Sequence, residues 1–391
     1  MRTIEPVTHG APDFAELERL GLSPDVVLDF SVNSNPFGPS PLVRAALASV
    51  PLDRYPDRDS LLLRRALGEK LALAPEQILV GNGSAELIQL AAQAFLRPGD
   101  SALVLGPTFG EYARAAQLAG ADVRQWAASP REGFASNAEA ISVKLAERHR
   151  VVFICNPNNP TGQCLPAGAL QTWAAAHPET LFIVDEAYLP FVPNIQSVIH
   201  QALSGDAHAS GAAQSKRRGN TDSAQAPNLL ILRSMTKDHA LAALRLGYAL
   251  GPANLIAALT AQRPPWNVNA LAQAAGLAAL QDPAHLAQTL IQLQKEKDLL
   301  VAGLKNIGYD PQPSQTHFFL LPVSNGADFR AALLPHGILV RDCASFSLPN
   351  HIRIAPRRPA DNLRLLDVVI QKHFHHKGAH AYLRKPQADD Y

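Results

Sequence analysis

Six short, unbroken apolar segments recur between residues 78 and 251: ILVGN at 78–82, ALVLG at 102–106, VVFIC at 151–155, LFIVD at 181–185, NLLILR at 228–233 and LGYALG at 246–251. They lack the polar–apolar alternation of a half-exposed strand, so each predicts a strand covered on both faces. Helical patterns at 60–73, 84–95 and 111–118 separate the early ones. Strands and helices alternating in this way predict an α/β fold with a mostly parallel sheet.

The pattern changes after residue 265. Residues 269–306 read as helical, and FFLLPV at 318–323, GILVR at 337–341 and HIRIA at 351–355 read as strands, with helices near 327–334 and 360–372. This predicts a large unit over 45–265 and a smaller α+β unit over 266–372, with the arm 1–44 packed against the latter. Residues 203–227 are small and polar, with too little apolar surface to offset the entropy of ordering, and read as a mobile surface insertion. Residues 373–391, with HFHH at 373–376, read as a flexible, solvated tail and not as a metal site.

Of the 391 residues, 47% are hydrophobic and 18% charged, enough apolar side chain for a sizeable core. Lys plus Arg number 35 and Asp plus Glu 34, a net charge of +1 that argues against broad electrostatic binding to nucleic acid or an anionic membrane. No apolar run reaches the length of a membrane span, and MRTIEPVTHG lacks the apolar core of a signal peptide. Cys155, Cys164 and Cys343 are too scattered for a disulfide framework and suit a reducing compartment. The expectation is a cytoplasmic protein.

Four motifs fall where the predicted strands end, the place where open parallel sheets collect ligands. GNGSAE at 81–86 follows a strand and opens a helix, which sets the amides of Ser84 and Ala85 at a helix amino terminus suited to an anion. NPNNPTG at 156–162 carries Asn158 and Asn159 on a proline-fixed turn. Asp185, in DEAY, ends an apolar strand where an unpartnered carboxylate is costly. In SMTKDHALAALRLGY at 234–248, Lys237 is an amine able to attack a carbonyl once desolvated, and Arg245 is able to grip a phosphate with two donors. Each alone reads as an ordinary turn, cap or surface charge; their conjunction, in order and each at a strand end, points to a site.

With these motifs the sequence resembles the fold-type I pyridoxal phosphate enzymes of the class I/II aminotransferase superfamily, over nearly the whole chain. The resemblance implies a large, mostly parallel seven-stranded sheet domain and a smaller α+β domain. It implies pyridoxal 5'-phosphate as cofactor, held covalently by Lys237, with Asp185 facing its pyridine nitrogen and Tyr188 and Asn159 its ring oxygen. Ser84, Ala85, Ser234 and Arg245 would take the phosphate, and Phe109, in GPTFGEY, would stack on the ring. Tyr55, in RYPD, looks like the tyrosine that reaches the phosphate of the other subunit, which implies a homodimer.

Two branches of the superfamily compete, both with small phosphorylated amino substrates. THG at 8–10, LDFSVNSNPFGPS at 28–40, PPWNVNALAQ at 264–273 and ILVRDCASF at 338–346 resemble segments of the threonine-phosphate decarboxylases of cobalamin synthesis. The resemblance implies decarboxylation of L-threonine O-3-phosphate to (R)-1-aminopropan-2-yl phosphate. The alternative is the histidinol-phosphate aminotransferase branch, which transfers an amino group to 2-oxoglutarate. In the first reading Arg353 would receive the substrate carboxylate, Arg341 and His9 its phosphate, and Asn33 would border it. The chain departs from the family at HGAP, where HGGN is usual, and at Asp238, His239, Ala242 and Ala243 after the lysine.

Overall fold

The computed structural model describes residue 4, residues 6–199 and residues 227–381, with side chains as far as residue 372. Seven strands form the main sheet: β1 (Ile78–Gly81), β2 (Ser101–Gly106), β3 (Asp122–Ala127), β4 (Val151–Cys155), β5 (Leu181–Asp185), β6 (Leu229–Ser234) and β7 (Gly247–Leu250). Their order is β1-β7-β6-β5-β4-β2-β3, and β7 alone runs against its neighbours. The six apolar segments form six of these strands. The seventh, β3, has the polar sequence DVRQWA because it lies at the sheet edge, where one side has no neighbouring strand and most of its residues stay exposed.

Alternate residues of each strand pack on opposite faces. Val152, Ile154, Phe182 and Val184 join one core with α1 (Pro41–Ala48), α2 (Leu61–Leu71), α5 (Ala167–Ala176) and α7 (Ala270–Leu280). Val151, Phe153, Cys155 and Ile183 join another with α3 (Gly83–Phe95), α4 (Glu111–Leu118) and α6 (Ala253–Gln262). Val43 of α1 and Ala272, Ala275 and Ala278 of α7 thus pack with the main sheet. The boundary expected at 44/45 falls inside α1, and the one expected at 265/266 falls before α7; both helices pack in the core of the main sheet.

The smaller unit is built on α8 (Pro283–Asn306), β8 (Phe319–Pro322), α9 (Gly326–Leu333), β9 (Arg341–Asp342), β10 (His351–Ile354) and α10 (Pro359–Ala381). Its antiparallel sheet has the order β9-β10-β8, and Leu28–Asp29 pairs in parallel with Ile338–Leu339. Phe30 enters the core of this unit, so the arm is stitched to it. Helix α10 continues to Ala381, past the residue 373 at which composition places the start of the tail. The insertion read at 203–227 lies outside the described residues except for Pro227, which stands in the turn before β6.

Candidate active site

The ends of β4, β5 and β6 and the start of α3 surround a cavity of about 110 Å³. At one side, Gly83 has φ +80°, and a Cβ there would stand 2.8 Å from Arg245 Nη2. A Cβ on Gly247 would stand 2.7 Å from the Ser84 amide. The two glycines let the first turn of α3, the start of β7 and the Arg245 guanidinium come together. Arg245 Nη1 donates to the Ala242 carbonyl at 3.0 Å, and the side chain forms no ion pair among the described residues. A 13-residue helix presenting Ser84 and Ala85 in its first turn, beside an unneutralised guanidinium, is chemistry for a phosphate.

Lys237 and Asp185 line the same cavity. Burial, then the charges of Arg353 and Arg245, bring the Lys237 amine down from 10.5 to about 8, against the opposing pull of Asp185 and Asp29. Asp185 is 4% exposed, and burial raises its carboxyl above the usual carboxylate range. Two donors work against that rise: the Tyr112 hydroxyl at 2.8 Å from Oδ2 and the Ala187 amide at 2.9 Å from Oδ1. The Tyr188 hydroxyl, pushed up to about 12 by burial, accepts from Asn33 Nδ2 at 3.3 Å.

Next to this cavity stand two arginines that are direct cross-strand partners, Arg341 on β9 and Arg353 on β10. Like charges so placed repel unless an anion lies between or near them. Arg353 is buried and donates to Asn159 Oδ1 and the Ser31 carbonyl, while its Nε has no partner. Arg341 Nη2 donates to the Thr8 carbonyl and Ser345 Oγ, both at 2.7 Å. Burial lowers the pKa of both guanidiniums, and neither forms an ion pair with a carboxylate among the described residues.

The cavity thus gathers Ser84, Ala85, Phe109, Asn159, Asp185, Tyr188, Lys237 and Arg245. Three expected residues stand one bond behind it: Asn33 on Tyr188, Arg353 on Asn159, and Ser234, whose Oγ lies 2.7 Å from Thr236 Oγ1. His9 lies farther off, its Nε2 3.0 Å from Glu111 Oε1 and its ring 5.6 Å from that of Phe109. Tyr55 is not in this chain's cavity; it is 80% exposed and rests on Trp266 at 4.7 Å between centroids. Asp238 turns away, toward a separate cavity of about 300 Å³ that His239 and Arg233 also line. Sequence reasoning missed Tyr112, Cys155 and Thr236, which also line this cavity. Tyr112 was within the quoted GPTFGEY, but only its fold neighbours reveal which of the two aromatics there meets Asp185.

Sheet order, strand-end site and paired lysine and aspartate define a pyridoxal-phosphate-type transferase fold. The family described as Aminotransferase class I and II matches residues 25–369, and the chain belongs to it. A histidinol-phosphate aminotransferase of Methylobacillus flagellatus is 33% identical over 374 residues, covering 95% of each chain, and others match at 32–35%. The solved histidinol-phosphate aminotransferase of Sinorhizobium meliloti in complex with pyridoxal-5'-phosphate superimposes with a TM-score of 0.79 at 22% identity, over 93% of this chain and 94% of that one. The L-threonine-O-3-phosphate decarboxylase of Porphyromonas gingivalis superimposes with a TM-score of 0.72 at 26% identity, over 89% of this chain and 99% of that one.

These similarities overturn the expectation of threonine-phosphate decarboxylation and cobalamin synthesis in favour of the aminotransferase alternative. The structure shows why the segments behind that expectation misled. In PPWNVNALAQ, Asn269 caps α7 by accepting from the Ala272 amide, and Trp266 packs on Tyr55. In THG, Gly10 is needed because a Cβ would stand 2.5 Å from the Ser31 carbonyl oxygen. In ILVRDCASF, Cys343 is core. Such residues shape the scaffold and leave open which bond at the substrate Cα breaks.

The cofactor is pyridoxal 5'-phosphate, as the family and its cofactor-bound structural neighbour support. The residues present fit it. There is an amine whose pKa is brought down to about 8, a carboxylate held by two donors, and a helix start beside a guanidinium with no ion pair among the described residues. No helix among the described residues is long and apolar enough to cross a membrane, and no cluster among them suits a metal.

Proposed function

We propose that this protein transfers the amino group of histidinol phosphate to 2-oxoglutarate. The observation that carries the reading is the near full-length match to histidinol-phosphate aminotransferases, on a chain whose Lys237, Asp185 and anion cradle share one cavity. When bound, the cofactor supplies an aldehyde that takes up the amino group and a ring that accepts the electron pair left at Cα.

In this reading Ser84, Ala85, Ser234 and Arg245 hold the cofactor phosphate, Asp185 faces the ring nitrogen, and Asn159 Nδ2 and Tyr188 serve the ring oxygen. Asn159 Oδ1 is already taken by Arg353, which fixes the amide's orientation. Phe109 covers the ring face. Lys237 anchors the cofactor and, once displaced by substrate, accepts the Cα proton. Its depressed pKa makes the neutral amine available at mildly alkaline pH. In the return half it delivers a proton to Cα of the product amino acid.

Histidinol phosphate has no carboxylate. Arg353 and Arg341 therefore meet its phosphate in the first half and the carboxylates of 2-oxoglutarate in the second, and Asn33 borders both substrates. Two buried guanidiniums without carboxylate partners suit a dianion that is exchanged each cycle. His9, held on Glu111, closes the site beside Phe109. Tyr55 is exposed here because it serves the cofactor phosphate of a second copy, in a homodimer.

The test is glutamate formation from histidinol phosphate and 2-oxoglutarate by purified protein loaded with cofactor. Glutamate appearing only when both substrates are present is expected; its absence with both present would overturn the reading.

A further inference from the structure

Asp185 is held at both carboxylate oxygens, by the Ala187 amide at Oδ1 and the Tyr112 hydroxyl at Oδ2. The amide comes with the turn after β5 whatever the side chains are. The hydroxyl is brought by a different element, and three separate features aim it. Strand alternation puts Asp185 on the same face as Ile183, and the β4–β5 register sets Cys155 directly beside it. Helix α4 packs on that face, with Tyr112 in one core with Phe153, Cys155 and Ile183. The Tyr112 ring stacks on Phe153 with centroids 5.7 Å apart at 15°, and Phe109 meets it edge-on at 5.6 Å.

Resting on the reading that Asp185 faces the cofactor's ring nitrogen, we infer that Tyr112 is a positioning residue whose hydroxyl keeps Asp185 ionised and aimed into the cavity. The groups facing Asp185 are Tyr112 from α4, Cys155 from β4, its neighbour Glu186, Tyr188, and Lys237 from the loop after β6. The Cys155 thiol and Tyr188 hydroxyl, each pushed up to about 12, stay neutral. Glu186 is occupied by Arg233 and Ser197. Lys237 loses its charge near pH 8. Tyr112, raised well above its ordinary value by burial and by the Asp185 charge, is a donor at every working pH. A carboxylate this deeply buried gains more from a neutral donor than an exposed one does.

The experiment measures cofactor affinity of the full chain, stripped of cofactor, by fluorescence titration with pyridoxal 5'-phosphate from pH 5 to 9. Lys237 must be neutral to join the cofactor, which weakens binding below about pH 8 in wild type and variant alike; below the Asp185 pKa, binding to a protonated ring must also expel the carboxyl proton, so affinity falls further. Tyr112→Phe keeps both ring contacts and removes only the hydroxyl. The expected result is an acid limb moved up by about one pH unit, with the dissociation constant raised by up to about tenfold along the limb and within about threefold of wild type at pH 9. Replacing Tyr112 by 3-fluorotyrosine, nearly isosteric and a stronger donor, is expected to move the limb down. An acid limb in Tyr112→Phe that coincides with wild type would overturn the inference, as would a lowered thermal midpoint with the limb unmoved, the mark of a merely structural tyrosine. A wild type that binds no cofactor would instead remove the underlying reading, and is told apart because no limb then exists.

Discussion

Lys237 combines desolvation of its amine with two neighbouring cations, and that combination brings an ordinary lysine toward the pKa of a working base. The sign of the effect is fixed. The folded-state value is below the unfolded one, so the amine is neutral above about pH 8, where a free lysine stays charged to about 10.5. Modification of Lys237 by an amine-directed reagent in cofactor-free protein, followed by peptide mass, is expected to rise through pH 8 and level off by about pH 9. A rise only above pH 10 would contradict the assigned surroundings. Lys237→Ala is expected to lower turnover by at least about a thousandfold, since it removes both anchor and base, while the phosphate contacts still retain cofactor on gel filtration. Arg353→Ala should act mainly through substrate, raising KM about a hundredfold for both substrates, as two charge-assisted bonds to an anion are lost; unchanged kinetics would count against its role.

Helix α3 and the start of β7 carry the proposed phosphate cradle, and two glycines let them meet. Gly83→Ala introduces both a left-handed alanine, costing about 1–2 kcal/mol, and a contact with Arg245. The expected outcome is a loss of affinity for pyridoxal 5'-phosphate and little change for pyridoxal, which lacks the phosphate; equal losses for both would place the cradle elsewhere. Elements of this kind were well marked in the sequence. Six strands were legible because burial on both faces leaves an unbroken apolar run, and the four motifs were legible because they punctuate strand ends. β3 was not, since an edge strand keeps polar residues. α7 read as part of the smaller unit because its run of alanines, ALAQAAGLAAL, gives little sign of which core it joins. Tyr112 escaped because its partner is 73 residues away and meets it only through β-sheet register and helix packing. The choice between decarboxylation and transamination was misread because residues such as Asn269 and Gly10, which carried it, serve the scaffold here.

At the scale of the whole molecule, the chain leaves large apolar side chains outside. Tyr55 is 80% exposed, Leu52 83% and Trp266 44%. The contacting pair Tyr55 and Trp266, left outside, suits a partner, and the proposed partner is a second copy that receives Tyr55 at its cofactor phosphate. Two inactive variants provide the test. Mixed and reannealed, Tyr55→Ala and Lys237→Ala subunits form hybrids in which one site has both residues intact, so about a quarter of wild-type activity is expected to return. No recovery, with hybrids confirmed by native mass, would show that Tyr55 acts within its own chain or not at all. The proposed transamination depends on the Cα proton being the group that leaves. The most direct measurement is the loss of deuterium from Cα-deuterated histidinol phosphate in ordinary water, followed by mass spectrometry. Washout by wild type, abolished in Lys237→Ala, is expected; deuterium retained by wild-type enzyme with bound cofactor would contradict the account.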